Sequence, residues 1–179
     1  EGYELVDENT WKITLRENVT FTSGRKLDAQ AVRECLDDLV SVHERAKGDL
    51  KIKETTADGQ VLTIVTEEPV PALINYLSDP YGCIIDMDAG VTEDGNVSGT
   101  GPYTAKEVKT DIGLTLVKNE NYWDGEPKLD TIHVKTISDG DTMTMAMQSG
   151  ELDAAYGLPY ASLPLFSGDS YTISSVETS

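Results

Sequence analysis

Along Trp11-Lys12-Ile13-Thr14-Leu15-Arg16, large apolar side chains alternate with polar ones, a period of two that marks a strand with one buried face. Val19-Thr20-Phe21 extends the pattern past the turn residues Glu17-Asn18, and Trp11 and Phe21 are expected in the core. Ser23-Gly24 breaks the strand. The period then becomes helical. Ala31, Val32, Cys35, Leu36, Leu39 and Val40 share one face of a helix that Asp28 is placed to cap and that should end near Arg45 to Gly48. Two β-prone runs follow, Lys51 to Thr56 and Val61 to Thr66, joined through Asp58-Gly59. That dipeptide suits a type I′ hairpin, in which both central residues need positive φ. After Pro71, the residues Ala72, Leu73, Tyr76 and Leu77 read as a short amphipathic helix that Asp79-Pro80-Tyr81-Gly82 ends.

A short apolar piece from Cys83 to Met87 leads into a polar loop from Asp88 to Ser98, the best candidate boundary in the chain. Beyond it stands Gly99-Thr100-Gly101-Pro102-Tyr103. Pro102 has a fixed φ and no N–H, and the two glycines are able to take positive φ, so the segment reads as a stiff return into a strand. A dinucleotide-binding loop would need a third glycine and a following helix, whereas Thr104 and a strand-like run stand there. Tyr103 to Val108, Gly113 to Val117 and Thr131 to Ile137 read as strands, Thr142 to Gln148 as a helix with Gly150 at its C′ position, and Leu152 to Tyr156 as a further strand. Strands interleaved with helices imply a mixed α/β architecture.

Charge narrows the partners. With 32 acidic and 14 basic residues in 179, the net charge is −18, which repels nucleic acid and favours a mutually repelling, soluble chain. The acidity is scattered, so it reads as a solvated surface. No apolar run reaches 18 residues and no leader-like pattern opens the chain, so no membrane span is expected. The start at Glu1 without Met suggests a piece of a longer protein.

Chemistry-bearing motifs are sparse. No nucleophile elbow, phosphate loop or triad order is present. His43 and His133 are the only histidines, with no Cys or His at ligand spacing, so neither a metal site nor a cofactor is expected. Asp86-Met87-Asp88 begins like a calcium loop, but Gly90 fills a ligand position and Val97 stands where the closing glutamate belongs. Cys35 is expected to be a buried thiol, and Cys35 and Cys83 are too far apart for a redox pair motif. Acidic pairs keep one alternative open, an extracellular hydrolase that works through two carboxylates about 5 to 10 Å apart.

The order of motifs resembles the extracytoplasmic solute-binding proteins of ABC importers, family 5, the peptide and nickel group. The matching pieces are Trp11 to Arg16 with Val19-Thr20-Phe21 and Ser23-Gly24; Leu27-Asp28-Ala29; Gly99 to Tyr103; Asn119-Glu120-Asn121-Tyr122-Trp123 with Pro127 and Leu129; and Gln148-Ser149-Gly150-Glu151-Leu152-Asp153. The resemblance implies part of lobe one of a two-lobed, type II periplasmic-binding-protein fold: residues 1–90 as an inserted α+β subdomain, 91–179 as part of the main sheet, and Ser179 near the crossover to a second lobe. It implies capture of an oligopeptide or a nickel or other metal chelate by lobe closure, delivery to an ABC permease, no covalent chemistry, a monomer, and a place outside the membrane as a periplasmic protein or lipoprotein, held only by an N-terminal anchor.

The same resemblance places Arg45 where a cleft-facing arginine follows the subdomain's helix, able to clamp a carboxylate; its plain structural role would be a cation at a helix C-terminus. Tyr81 suits a pocket wall, and nickel-type members carry an arginine around that loop which this sequence lacks. Tyr103 and Tyr156 are further candidates, each equally suited to a core or hinge position.

Overall fold

The computed structural model describes residues 2–93 and 95–175; the crossover expected at Ser179 lies outside them. Contacts group the chain into two units, one taking in the chain up to Val108 together with Leu114–His133, the other Lys109–Gly113 with the chain from Val134 onward.

In the first unit, β1 (Gly2–Asp7), β2 (Thr10–Thr14), β3 (Ile52–Asp58) and β4 (Val61–Thr66) form an antiparallel sheet in the order β1-β2-β4-β3. The period-two reading holds: Trp11 pairs with Ile64 and Ile13 with Leu62, which sets these side chains on one face. That face packs on α1 (Ala29–Val42), α2 (Glu44–Leu50) and α3 (Leu73–Ser78) through Val32, Leu36, Leu50 and Leu73, with Trp11 buried among them. Each such side chain stabilises the fold by about 1.5–3 kcal/mol. Asp28 caps α1 as expected, its Oδ1 accepting the Ala31 N–H at 2.9 Å. Cys35 is buried, its thiol donating to the Ile85 carbonyl.

Several expectations need correction. Val19-Thr20-Phe21 is not a strand: Asn18 turns at φ 61°, the Leu27 and Phe21 amides bond back to the Val19 and Arg25 carbonyls, and only Thr20 bridges to Lys26. Phe21 is nonetheless buried. The helix expected to reach Arg45 to Gly48 stops at Val42. His43 leaves helical geometry (φ −115°, ψ 97°), its amide closing α1 on Leu39 and its ring nitrogen starting α2. No glycine or proline announces that break. The hairpin turns on Gly59 and Gln60, because Asp58 and Val61 are still paired. Positive φ is needed only at Gly59, the type II′ requirement of glycine at the first central position rather than I′. The edge strand β1 was not singled out from the sequence; all six of its residues are exposed, and its ladder to β2 holds it.

A second sheet runs β5 (Tyr103–Lys109), β6 (Gly113–Lys118), β7 (Thr131–Lys135) in that order. Neither Gly99 nor Gly101 takes positive φ. The stiffness of their segment comes instead from the buried Asn119: its Nδ2 donates to the Gly101 carbonyl (2.9 Å), its amide to the Pro102 carbonyl (2.8 Å), and its Oδ1 accepts the Asn121 N–H (3.0 Å).

In the second unit, α4 (Gly140–Gln148) is capped by Asp139, and Gly150 occupies the expected C′ position. Leu152 to Tyr156 is not a strand, since the Glu151 and Leu152 amides both bond to the Ala146 carbonyl at the end of α4. A 3₁₀ segment, Tyr160–Phe166, follows and buries Phe166.

Candidate ligand-binding cavity

Within the first unit, the break at His43 and the turn after α3 together shape a cavity of about 410 Å³ lined by His43, Arg45, Asp49, Tyr76, Asp79 and Tyr81. Two of the four candidates read from the sequence thus share one wall. Arg45 and Asp49 stand one helical turn apart on α2, and Tyr81 rides on a 3₁₀ turn at Pro80–Gly82. That turn is seated very close to α3. A Cβ at Gly82 would lie 1.8 Å from the Leu77 carbonyl oxygen, so only glycine allows the approach that puts Tyr81 where it is.

The polar groups are linked. The Tyr81 hydroxyl donates to Asp49 Oδ2 at 3.2 Å, and Arg45 Nε lies 3.5 Å from the same oxygen. The His43 ring meets Tyr81 edge-on, with centroids 5.7 Å apart. Partial burial, and then the Asp49 carboxylate beside it, push the Tyr81 phenol above its ordinary value, which keeps it a protonated donor. Arg45 is not the helix C-terminal cation that its bland role required: it lies in the first turn of α2. There a positive charge opposes the helix dipole, and an Arg-to-Asp order along the helix is the weaker arrangement of an i,i+4 pair. Its side chain is 82% exposed. The intrahelical pair is therefore worth no more than a few tenths of a kcal/mol, and the terminal guanidinium nitrogens have no protein partner among the described residues.

The other two candidates are elsewhere. Tyr103 begins β5, and its hydroxyl accepts the Leu129 N–H at 3.3 Å, a structural contact outside this cavity. Tyr156 belongs to the second unit and is 99% exposed. His43, Asp49 and Asp79 were not picked out as site residues from sequence. His43 would have been visible only if the helix break had been, and nothing in the local composition marks it.

A second depression of about 530 Å³ brings the sequence motifs together, with Ile13 and Arg16 from the first, Thr100 from the glycine segment and Trp123 from the fourth. The Arg16 guanidinium lies 4.2 Å over the Trp123 ring, a cation–π contact. It is larger but more apolar, and the first cavity has the better chemistry for holding a polar solute. Elsewhere in this unit Asp86, 3% exposed, accepts from the Ser23 hydroxyl (2.6 Å) and from Arg25 (3.0 Å), while Arg25 also pairs with Glu34 and Asp88. This node fastens the loop that was considered for calcium. Among the described residues, no group of three or more His, Cys, Asp or Glu is arranged to hold a metal, and no helix is long and apolar enough to cross a membrane.

Comparison with known proteins shows the family. The family model described as bacterial extracellular solute-binding proteins, family 5 (middle), matches residues 2–178. The nickel-binding protein NikA of Staphylococcus aureus is 33% identical over 159 residues, which is 89% of this chain and 32% of its own length. Its crystal structure in complex with Ni(L-His)2 superposes with a TM-score of 0.79 over 84% of this chain and 32% of that one, at 34% identity. A nickel ABC transporter structure from Bacillus halodurans gives 0.86 at 34% identity, over 93% of this chain and 35% of that one. The glutathione-binding protein GsiB of Salmonella paratyphi A is 31% identical over 170 residues, 89% of this chain and 33% of its length. The chain thus spans about one third of the length of these relatives.

Proposed function

The chain belongs to the bacterial extracellular solute-binding proteins of family 5 and has the mixed α/β fold of type II periplasmic binding proteins; from that premise we propose that it is part of a two-lobed receptor that captures a small solute outside the cytoplasmic membrane and hands it to an ABC permease. Residues 1–90 serve as the inserted subdomain of lobe one and 91–179 as part of its main sheet. The solute is a nickel complex or a peptide-like molecule, the two ligand kinds named for NikA and GsiB. Capture is a population shift: contacts from both lobes favour the closed state, with no covalent step.

The observation that carries the reading is that Arg45 and Tyr81 line one cavity, with the terminal guanidinium nitrogens unpartnered among the described residues. Such a fork holds a carboxylate bidentately, and carboxylates are what a peptide and an amino-acid chelator of nickel share. Two carboxylates, Asp49 and Asp79, also line the cavity, but Asp49 is engaged by Tyr81 and Arg45. That arrangement orients donors and does not supply the paired acid and base of a glycosidase-type hydrolase.

Thermal unfolding of the full-length protein tests this against nickel(II)–L-histidine, glutathione and short peptides. A ligand at ~100 times its Kd raises stability by about 2.7 kcal/mol, so at least one of these should produce a clear upward shift. No shift with any of them refutes the proposal.

A further inference from the structure

We propose that His43 is a specificity-determining donor of this cavity: it offers Nε2–H to an anionic oxygen of the solute and does not ligate metal. This rests on the solute-binding reading and adds a residue and a ligand class to it. The geometry fixes the tautomer. Nδ1 accepts the Ala46 N–H at 3.2 Å, so in the neutral ring the lone pair is on Nδ1 and the proton on Nε2. The edge-on contact with Tyr81 keeps the ring in the cavity wall. Nε2 has no protein partner among the described residues, and neither do the Arg45 terminal nitrogens.

Metal ligation through Nε2 would need the opposite tautomer. The proton would move to Nδ1, the Ala46 amide would lose its acceptor, and the start of α2, which carries Arg45 and Asp49, would lose its cap. The ring is therefore built to donate. With His43 and Arg45 donating and the Asp79 carboxylate, which has no side-chain partner among the described residues, accepting, the cavity suits a solute that carries a carboxylate and a cationic group, of the α-amino-acid type. A bare divalent cation does not fit it. For a metal chelate, the organic part is what this wall reads.

Two variants of the full-length protein separate a ligand contact from a helix joint. Asparagine is among the best N-caps, so His43→Asn keeps the cap and removes the ring donor, while His43→Ala removes both. Titration calorimetry uses nickel(II)–L-histidine, glutathione and aqueous nickel(II) as separate probes. The expected result is that His43→Asn unfolds at the wild-type temperature yet binds the carboxylate-bearing probe about tenfold or more weakly, as loss of one hydrogen bond to a charged group requires. His43→Ala should lose both affinity and stability. Affinity of His43→Asn within about twofold of wild type, where a tenfold loss is required, overturns the inference and leaves the solute-binding reading standing. So does tight binding of aqueous nickel(II) that depends on His43. Failure of the wild-type protein to bind any of the probes overturns the reading beneath it.

Discussion

Removing the Asn119 side chain should loosen the junction that holds Gly99 to Tyr103 against the Asn119 to Trp123 turn. Asn119 is 6% exposed, and its amide group makes two hydrogen bonds, Nδ2 to the Gly101 carbonyl at 2.9 Å and Oδ1 from the Asn121 N–H at 3.0 Å. Asn119→Ala removes both and leaves a carbonyl and an N–H in a nearly dry site. At about 1 kcal/mol for each bond, plus a share of the cost of stranding the two partners, the loss comes to roughly 2–3 kcal/mol. The backbone bond from the Asn119 amide to the Pro102 carbonyl survives the change, so the segment should loosen without coming apart. Urea unfolding followed by tryptophan fluorescence reads the whole effect, with Trp123 close to the change. Hydrogen exchange reads it locally: the Asn121 amide should exchange roughly 30- to 140-fold faster, the same free energy expressed as a rate. An unfolding free energy within about 0.5 kcal/mol of wild type, together with unchanged exchange at Asn121, would refute the assignment of this stiffness to Asn119.

The Asp86 carboxyl is held below its usual value of 3.8 by the Ser23 hydroxyl first and, after opposition from burial, by Arg25. A depressed carboxylate contributes stability that is complete above the unfolded-state value and is lost as pH falls through the folded one, so Asp86→Asn should flatten the acid limb of stability between about pH 5 and pH 2; an unchanged limb counts against this node. Gly82→Ala should push the Tyr81 turn off α3, since its Cβ would sit 1.8 Å from the Leu77 carbonyl oxygen; stability should fall by about 1–3 kcal/mol and ligand affinity with it, and a stable variant that binds normally would show that the close approach does not position Tyr81. With a net charge of −18, self-repulsion should be relieved as the Debye length falls from about 10 Å at 0.1 M salt to about 3 Å at 1 M; the urea midpoint should rise with KCl, and a fall would mean that the attractive pairs of Arg25 with Glu34, Asp86 and Asp88 and of Lys118 with Glu126 and Asp130 outweigh the repulsion.

The parts of the fold governed by local pattern were legible in the sequence. Trp11 to Thr14 alternate with a period of two, Val61 to Thr66 is a β-prone run, Ala31 to Leu36 recur at helical spacing, and Asp28 stands where a cap for that helix belongs. What escaped depended on contacts made at a distance. The turn of α1 into α2 at His43 carries no glycine or proline, because its driving force is the burial of Ala46 and Leu50 in the core on the far side of the break. The failed strand at Leu152 to Tyr156 has the right residue types, but the first amides are taken by the end of α4. The stiffness credited to Gly99 and Gly101 belongs to a side chain 18 residues away from Gly101. For the cavity, Arg45 was reached through the resemblance and Tyr81 through its ring and hydroxyl, and both line one wall. Tyr103 is committed to Leu129. Asp49 was invisible because an aspartate on a helix face is ordinary until a tyrosine from another element bonds to it.

Arg45 is proposed to hold a carboxylate of the captured solute, and equilibrium titration of full-length wild type and Arg45→Gln with nickel(II)–L-histidine and glutathione measures that contact. A lost charge-assisted anchor should weaken binding by about 1.5–3 kcal/mol, roughly 10- to 150-fold, with little change in unfolding temperature because the Asp49 pair contributes so little. Affinities that are equal in the two proteins would contradict the account.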